Sequence, residues 1–254
     1  MAGRRRIEFH DKQISMAHGA GGEASRRLVE GLLQPAFSNA LLDPLADAAS
    51  FDVPASRLAM TADSFVVQPL KFPGGSIGEL AVNGTINDLA VSGARPLALT
   101  ATFILEAGLP TEILRGEVEA MAAAAERASV PIAGGDTKVV EHGKADGMYI
   151  TTTGLGLVDS QAALSPERVA DGDRILLSGP IGNHGMAIML ARAELQIEAN
   201  IRSDTRPLIP LVFALLDRVG SGLRWMRDAT RGGVATVLNE LARDAGVRIT
   251  ISEE

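Results

Sequence analysis

The stretch PIAGGDTKVV, residues 131–140, decides how the chain is read. A strand-like run enters Gly134-Gly135 and is followed by Asp136, Thr137 and Lys138. Glycines, a carboxylate, a hydroxyl and an ammonium group are the materials of a phosphate and magnesium site. The spacing is not that of a P-loop, which needs G-x-x-x-x-G-K-[ST]. The expected form is a strand running into a polar turn, with distant segments completing the site.

Outward from that turn, residues 1–158 read as alternating strands and helices. QISMAHGAGG is a short strand entering a glycine turn, and EASRRLVEGLLQPAF carries Leu28, Leu32 and Leu33 at helical spacing. ASFDV and RLAMTADSFVV form a hairpin. SIGELAVNGTINDLAVSG is a helix opened by a Ser76-x-x-Glu79 capping box and closed at Gly93. PLALTATFIL is a strand, PTEILRGEVEAMAAAAERA a helix, and VPIAGG and GMYITTTGLGLVD are strands. A second unit, residues 168–254, offers strands RILLSG and VRITI. Its helices are NHGMAIMLARAEL, PLIPLVFALLDRV and GGVATVLNELARDAG. Two strands for three helices leave its sheet incomplete. Met186 and Met189 read as core filler.

Composition narrows the function. Hydrophobic residues are 46% and charged residues 22% of 254, as in an ordinary globular protein. The net charge of −7 gives no nucleic-acid surface. No long apolar run marks a membrane span, and no apolar region follows Arg4-Arg5-Arg6, so a cytoplasmic protein is expected. The cysteine count is zero, which excludes disulfides, thiolate metal sites and cysteine nucleophiles within these residues.

Four aspartates stand out. Asp63 ends LAMTAD, Asp88 lies in NGTINDLA, Asp136 follows the glycine pair, and Asp228 opens DATRGG. A magnesium nucleotide needs separated carboxylates and a cationic donor for phosphate oxygens, here Lys138 or Arg231. Taken singly, Asp63 and Asp136 also read as turn formers and Asp228 as a helix N-cap. Asn83, Asn87 and Asp88 are harder to explain that way. They interrupt a half-buried helix, where polar side chains need partners.

The order of motifs goes further. AHGAGG, MTADSFVVQPLKFPGGSIGELAVNGTINDLAVSGARP, FILEAGLP, GGDTKVVEHGKADGMYI, TTGLGLV, GPIGNHGMAIM and RDATRGGVATVLNELA follow one another. Together they resemble the HypE family of hydrogenase maturation factors, within the superfamily of aminoimidazole ribonucleotide synthetase and selenophosphate synthetase. The resemblance spans essentially the whole chain. It implies an α/β fold of α+β type with two PurM-like domains. The first, 1–158, would bind ATP and dimerise through its sheet, and the second, 168–254, would be an incomplete α/β sandwich.

The resemblance also implies chemistry. HypE-like enzymes use ATP to dehydrate a carbamoyl group on a C-terminal cysteine to a thiocyanate, the source of cyanide for [NiFe] hydrogenase. Implied partners are a second copy of the chain, a HypF-like carbamoyltransferase and a HypC–HypD-like complex. ATP and Mg²⁺ are the implied cofactors. Asp63, Asp88 and Asp228 match the metal carboxylates. Asp63, Asn87, Gly134, Gly135, Asp136 and Thr137 match the nucleotide surroundings, and Gly19, Gly21 and Gly22 a covering glycine loop. Asp136 and Lys138 match catalytic positions. Family members run longer and end in the cysteine. The expectation is therefore a truncated chain, inactive alone, with a silent ATP-binding scaffold or another small-molecule ATP-dependent enzyme as alternatives.

Overall fold

Alternation in the strands builds the first half of the molecule. In the computed structural model, residues 7–8, 10, 22–28, 30–31, 49–53, 56–192 and 199–252 are described. Helix α1 spans Gly22–Leu28; strands β1 and β2 span Ala49–Val53 and Ser56–Phe65. A small hairpin, β3 Lys71–Phe72 and β4 Gly75–Ser76, leads into α2, Ile77–Val91. Then come β5 Ala94–Glu106, α3 Thr111–Arg127, β6 Ile132–Val140 and β7 Met148–Val158. The main sheet has the order β1-β2-β7-β5-β6. Only β5 and β6 run parallel, joined by α3, the crossover that parallel pairing requires.

One face of this sheet is covered. Strand β7 alternates buried and half-buried positions, and its inward side chains Met148 and Ile150 meet Leu99, Ala101, Ile77, Val82 and Ile86. Helix α2 is buried around most of its circumference. On another side it meets α5, Ile209–Val219, whose Val212, Phe213 and Leu216 cluster with Ala90. Ile77, Val82, Ile86 and Leu89 are fully buried, and each contributes about 1.5–3 kcal/mol. That outweighs Gly78 and Gly84, each costing about 1 kcal/mol in helix propensity.

Several sequence expectations change here. The capping box does not form: Ser76 sits at the N-cap without a side-chain bond, and Glu79 pairs with Arg127 at 2.6 Å. Its place is taken by Glu117 of α3, whose Oε2 accepts the Gly78 N–H at 3.0 Å. Gly93 does close α2, with φ +75 and its N–H donated to the Ala90 carbonyl at 2.8 Å. Gly134, Gly135, Asp136, Thr137 and Lys138 are not a turn; they lie in edge strand β6. A Cβ at Gly135 would stand 1.7 Å from the Ala101 carbonyl oxygen, so the glycine permits the parallel neighbour's approach.

Beyond β7 the described residues contain α4 Asn183–Ala191, α5, and α6 Gly233–Ala245, but no strand. RILLSG and VRITI are therefore corrected. Extended segments become strands only in a ladder, and Ile175, Leu176, Leu177 and Ile251 stand exposed without one. Met189 is 37% exposed, so it is not core filler. QISMAHGA, Leu32 and Leu33 lie outside the described residues. Among the described residues no helix is long and apolar enough to cross a membrane.

The α2–α3 crossing supplies a test. A Cβ at Gly78 would lie 2.1 Å from the Glu117 carbonyl oxygen, a backbone atom that cannot rotate away. Propensity alone favours Gly78→Ala by about 1 kcal/mol. We expect the opposite sign, a loss of about 1–3 kcal/mol in chemical denaturation, because overpacking dominates. A stabilised variant would show that the helices separate freely.

Candidate active site

Three carboxylates from three distant segments meet at the covered face of the sheet. Thr61 and Asp63 are two residues apart on β2 and so face the same way. Thr61 is buried, and its Oγ1 donates to Asp88 Oδ2 on α2 at 2.9 Å. Asp63 Oδ1 accepts the Ser64 N–H at 2.8 Å and lies 3.6 Å from Arg231 Nη2. Asp228 completes the group. Burial pushes its carboxyl above the ordinary range, while neighbouring Arg227 pulls it down. The charge of Asp63 pushes it up again, and a hydrogen bond with Asp88 lowers it. Asp228 is not an N-cap, because α6 begins five residues later behind Gly232.

This arrangement concentrates negative charge in a half-buried place. Arg231, one of the two candidate phosphate donors, is at the group; Lys138 is not. Among the described residues no three acidic or imidazole side chains close into a ready metal cage. Hard oxygen donors held short of a cage suit a hard divalent cation such as Mg²⁺, which keeps waters and phosphate oxygens in its shell beside its carboxylates. Burial first and the Asp63 charge second disfavour the ionised form of Asp228, the form a divalent cation would stabilise.

The other candidates are placed differently. Asp136 and Lys138 pair with each other at 2.9 Å, both largely exposed. In register, Ser64, Thr151, Thr102 and Asp136 form one row across the sheet. Ser64 Oγ and Thr151 Oγ1 are 2.8 Å apart on that row. It faces away from Asp63, and β6 lies three strand spacings from β2, about 14 Å. Within one chain, Asp136 and Lys138 do not join the carboxylates. Gly134 pairs with Thr100 after a register shift, and Thr137 pairs with Phe103. Gly22 opens α1 with φ +72, while Gly19 and Gly21 lie outside the described residues.

Asn87 is committed elsewhere. Its Nδ2 donates to the Arg206 carbonyl at 2.9 Å and its Oδ1 accepts the Leu208 N–H at 2.8 Å. Asn83 Nδ2 reaches Thr205 Oγ1 at 3.2 Å. Both asparagines bind the 205–208 segment to α2, which accounts for both ends of the Asn87 amide but leaves the buried Asn83 Oδ1 without a hydrogen-bond partner among the described residues. Sequence reasoning missed Thr61 and the buried Thr85–Thr152 pair, 2.5 Å apart, whose Thr152 also donates to the Ala81 carbonyl. A period-two reading of RLAMTAD puts Thr61 beside Asp63 and could have found it.

The raised Asp228 carboxyl has a stability consequence. At low pH both folded and unfolded forms are protonated, and it costs nothing. As pH rises through its folded value, the unfolded state ionises first, so the penalty grows and is complete above that value. Asp228→Asn is therefore expected to raise the Tm of the ligand-free protein at neutral pH and to leave it unchanged near about pH 3. A lower Tm at neutral pH would mean the carboxylate is favourably held.

Comparison with known proteins agrees with this architecture. The family profile "AIR synthase related protein, N-terminal domain" matches residues 45–158, and its "C-terminal domain" counterpart matches 170–254. Carbamoyl dehydratase HypE of Azotobacter vinelandii is 51% identical over 248 residues, 98% of this chain and 72% of that protein. The Escherichia coli K12 protein of the same name is 42% identical over 245 residues, covering 94% and 72%. A crystal structure of a HypE–HypF complex superposes with a TM-score of 0.81 at 46% identity, over 86% of this chain and 70% of that one. A HypE structure in complex with ATP gives 0.72 at 46% identity, over 90% and 68%. A thiamine monophosphate kinase from Aquifex aeolicus gives 0.64 at 15% identity, over 85% and 71%, a likeness of fold alone. The chain belongs to the HypE carbamoyl dehydratase family of AIR synthase related proteins.

Proposed function

We propose that this chain supplies the ATP-binding machinery for dehydrating a carbamoylated cysteine to a thiocyanate during hydrogenase maturation, and does not complete that reaction alone. The observation that carries the reading is the meeting of Asp63, Asp88 and Asp228 at one half-buried place. Family membership supports it, since curated relatives are named carbamoyl dehydratases and one solved relative holds ATP. In the reaction the carboxamide oxygen is activated by phosphoryl transfer from ATP and leaves with the phosphate, and the nitrogen gives up both protons. Residues 1–254 contain no cysteine, so they furnish the ATP side of this chemistry and not the thiol.

Mg²⁺ would be held by Asp63, Asp88 and Asp228 and would neutralise charge on the phosphoryl group. The chain's own contribution is positioning. Thr61 fixes the Asp88 carboxylate, and Arg231 offers a guanidinium beside it for phosphate oxygens. Gly134, Gly135, Thr137, Asp136 and Lys138 present one edge of the nucleotide surroundings from β6, with the glycine loop around Gly19, Gly21 and Gly22 as cover. Asp136 and Lys138 lie on the far face of the sheet, so they act on a nucleotide held with a second copy of the chain. The domain division is 1–158 and 168–254. A HypF-like carbamoyltransferase and a HypC–HypD-like complex are the partners, the former in line with the solved HypE–HypF complex.

Two outcomes follow. Asp88→Asn should weaken Mg-ATP binding at least tenfold, about 1.4 kcal/mol, in calorimetric titration with and without Mg²⁺. Unchanged affinity in a folded variant would remove Asp88 from the site. The uncovered sheet face carries Met60 at 47% and Leu157 at 38% exposure beside its threonine rows. A homodimer is expected by light scattering at micromolar concentration, because that face needs cover. A monomeric mass would overturn it.

A further inference from the structure

A second cleft opens at the start of α2, about 18 Å along the helix from Asp88. It encloses about 600 Å³ between the 68–71 loop, one face of α3 and the 146–147 turn. Three lining residues stand out. Ser76 is 6% exposed, and its Oγ has no hydrogen-bond partner among the described residues. Glu117, a carboxylate only 5% exposed, gives one oxygen to the Gly78 N–H. Gly116 sits in the middle of α3, where glycine weakens a helix relative to alanine. Yet a Cβ there would meet nothing within 4 Å. Sterics within the protein do not ask for that glycine.

We propose that this cleft binds a cationic donor group, an ammonium or guanidinium, carried on an apolar stem. The lining sets the sign. Glu112, Glu117 and Asp146 face a single lining cation, Lys71. The positive end of α2 is already occupied by the Glu117 carboxylate, so an anion would meet acids on arrival. A cationic head satisfies Glu117 by a charge-assisted bond and gives the buried Ser76 hydroxyl a donor to accept. Leu70, Leu109 and Ile113 receive the stem, and Gly116 lets it lie against the backbone of α3.

The head group could belong to a free diamine or to an arginine side chain of a peptide. Titrating the full chain with putrescine and with arginine amide, read by amide chemical shifts at Gly78 and Gly116, separates these sources. Saturable binding of either probe at millimolar concentration, with perturbation at both glycines, is the expected result. Citrulline amide, the neutral counterpart of arginine amide, should bind at least tenfold more weakly than it. Gly116→Leu, whose Cβ meets no protein atom within 4 Å, puts a side chain at the cleft wall and should abolish binding while leaving ATP affinity unchanged. Glu117→Gln should lose at least tenfold, and if it fails to fold, Gly116→Leu and the neutral probe decide. No saturable binding, equal binding of citrulline amide, or binding unaffected by Gly116→Leu would overturn the proposal.

Discussion

Everything in this molecule depends on the burial of one helix. Helix α2 has the sheet beneath it, α3 at one flank and α5 at another. A helix apolar around most of its surface has no stable exposed form, so its neighbours must be in place for it to exist. The polar side chains it carries are therefore under strict control. Asn87 and the Asn83 amide nitrogen hold the 205–208 segment, and Asp88 is held by Thr61 from the sheet. The site inherits its geometry from the packing of this helix, because the element that buries the core also delivers a carboxylate.

The same arrangement sets stability against chemistry. A half-buried meeting of acids raises the folded protein's energy unless a cation arrives. The protein tempers this with Arg227 and Arg231, cations close enough to soften the repulsion. A site fully neutralised by its own side chains would gain little from a metal nucleotide. One left bare would strain the fold.

How much of this was legible in the sequence differs by residue. The elements of the first half follow from period and punctuation, since TAD and TTTGLGLV alternate cleanly and Gly93 stops its helix. Asn83, Asn87 and Asp88 are conspicuous as polar residues in an apolar helix. Their partners are not, because 205–208 lies more than a hundred residues away and contributes mostly backbone. Asp63 and Asp228 owe their prominence to family likeness; as single residues they read as turn and cap. Gly134-Gly135 misled because glycine signals both a turn and a close strand neighbour, and only the position of Ala101 distinguishes them. RILLSG and VRITI have strand propensity, which is expressed only when a ladder is within reach.

The strand order also governs how the chain can be made. Strand β2 sits between β1 and β7, and β7 lies between β2 and β5. During synthesis the β1–β2 hairpin can close at once, but the free edge of β2 must wait for Met148–Val158 to emerge. At ~5–20 residues per second, making residues 66–147 takes about 4–16 s. For that interval a nascent chain carries an open strand edge and an apolar α2 with no sheet to cover. Its exposure to chaperones and to neighbouring nascent chains is written into the topology.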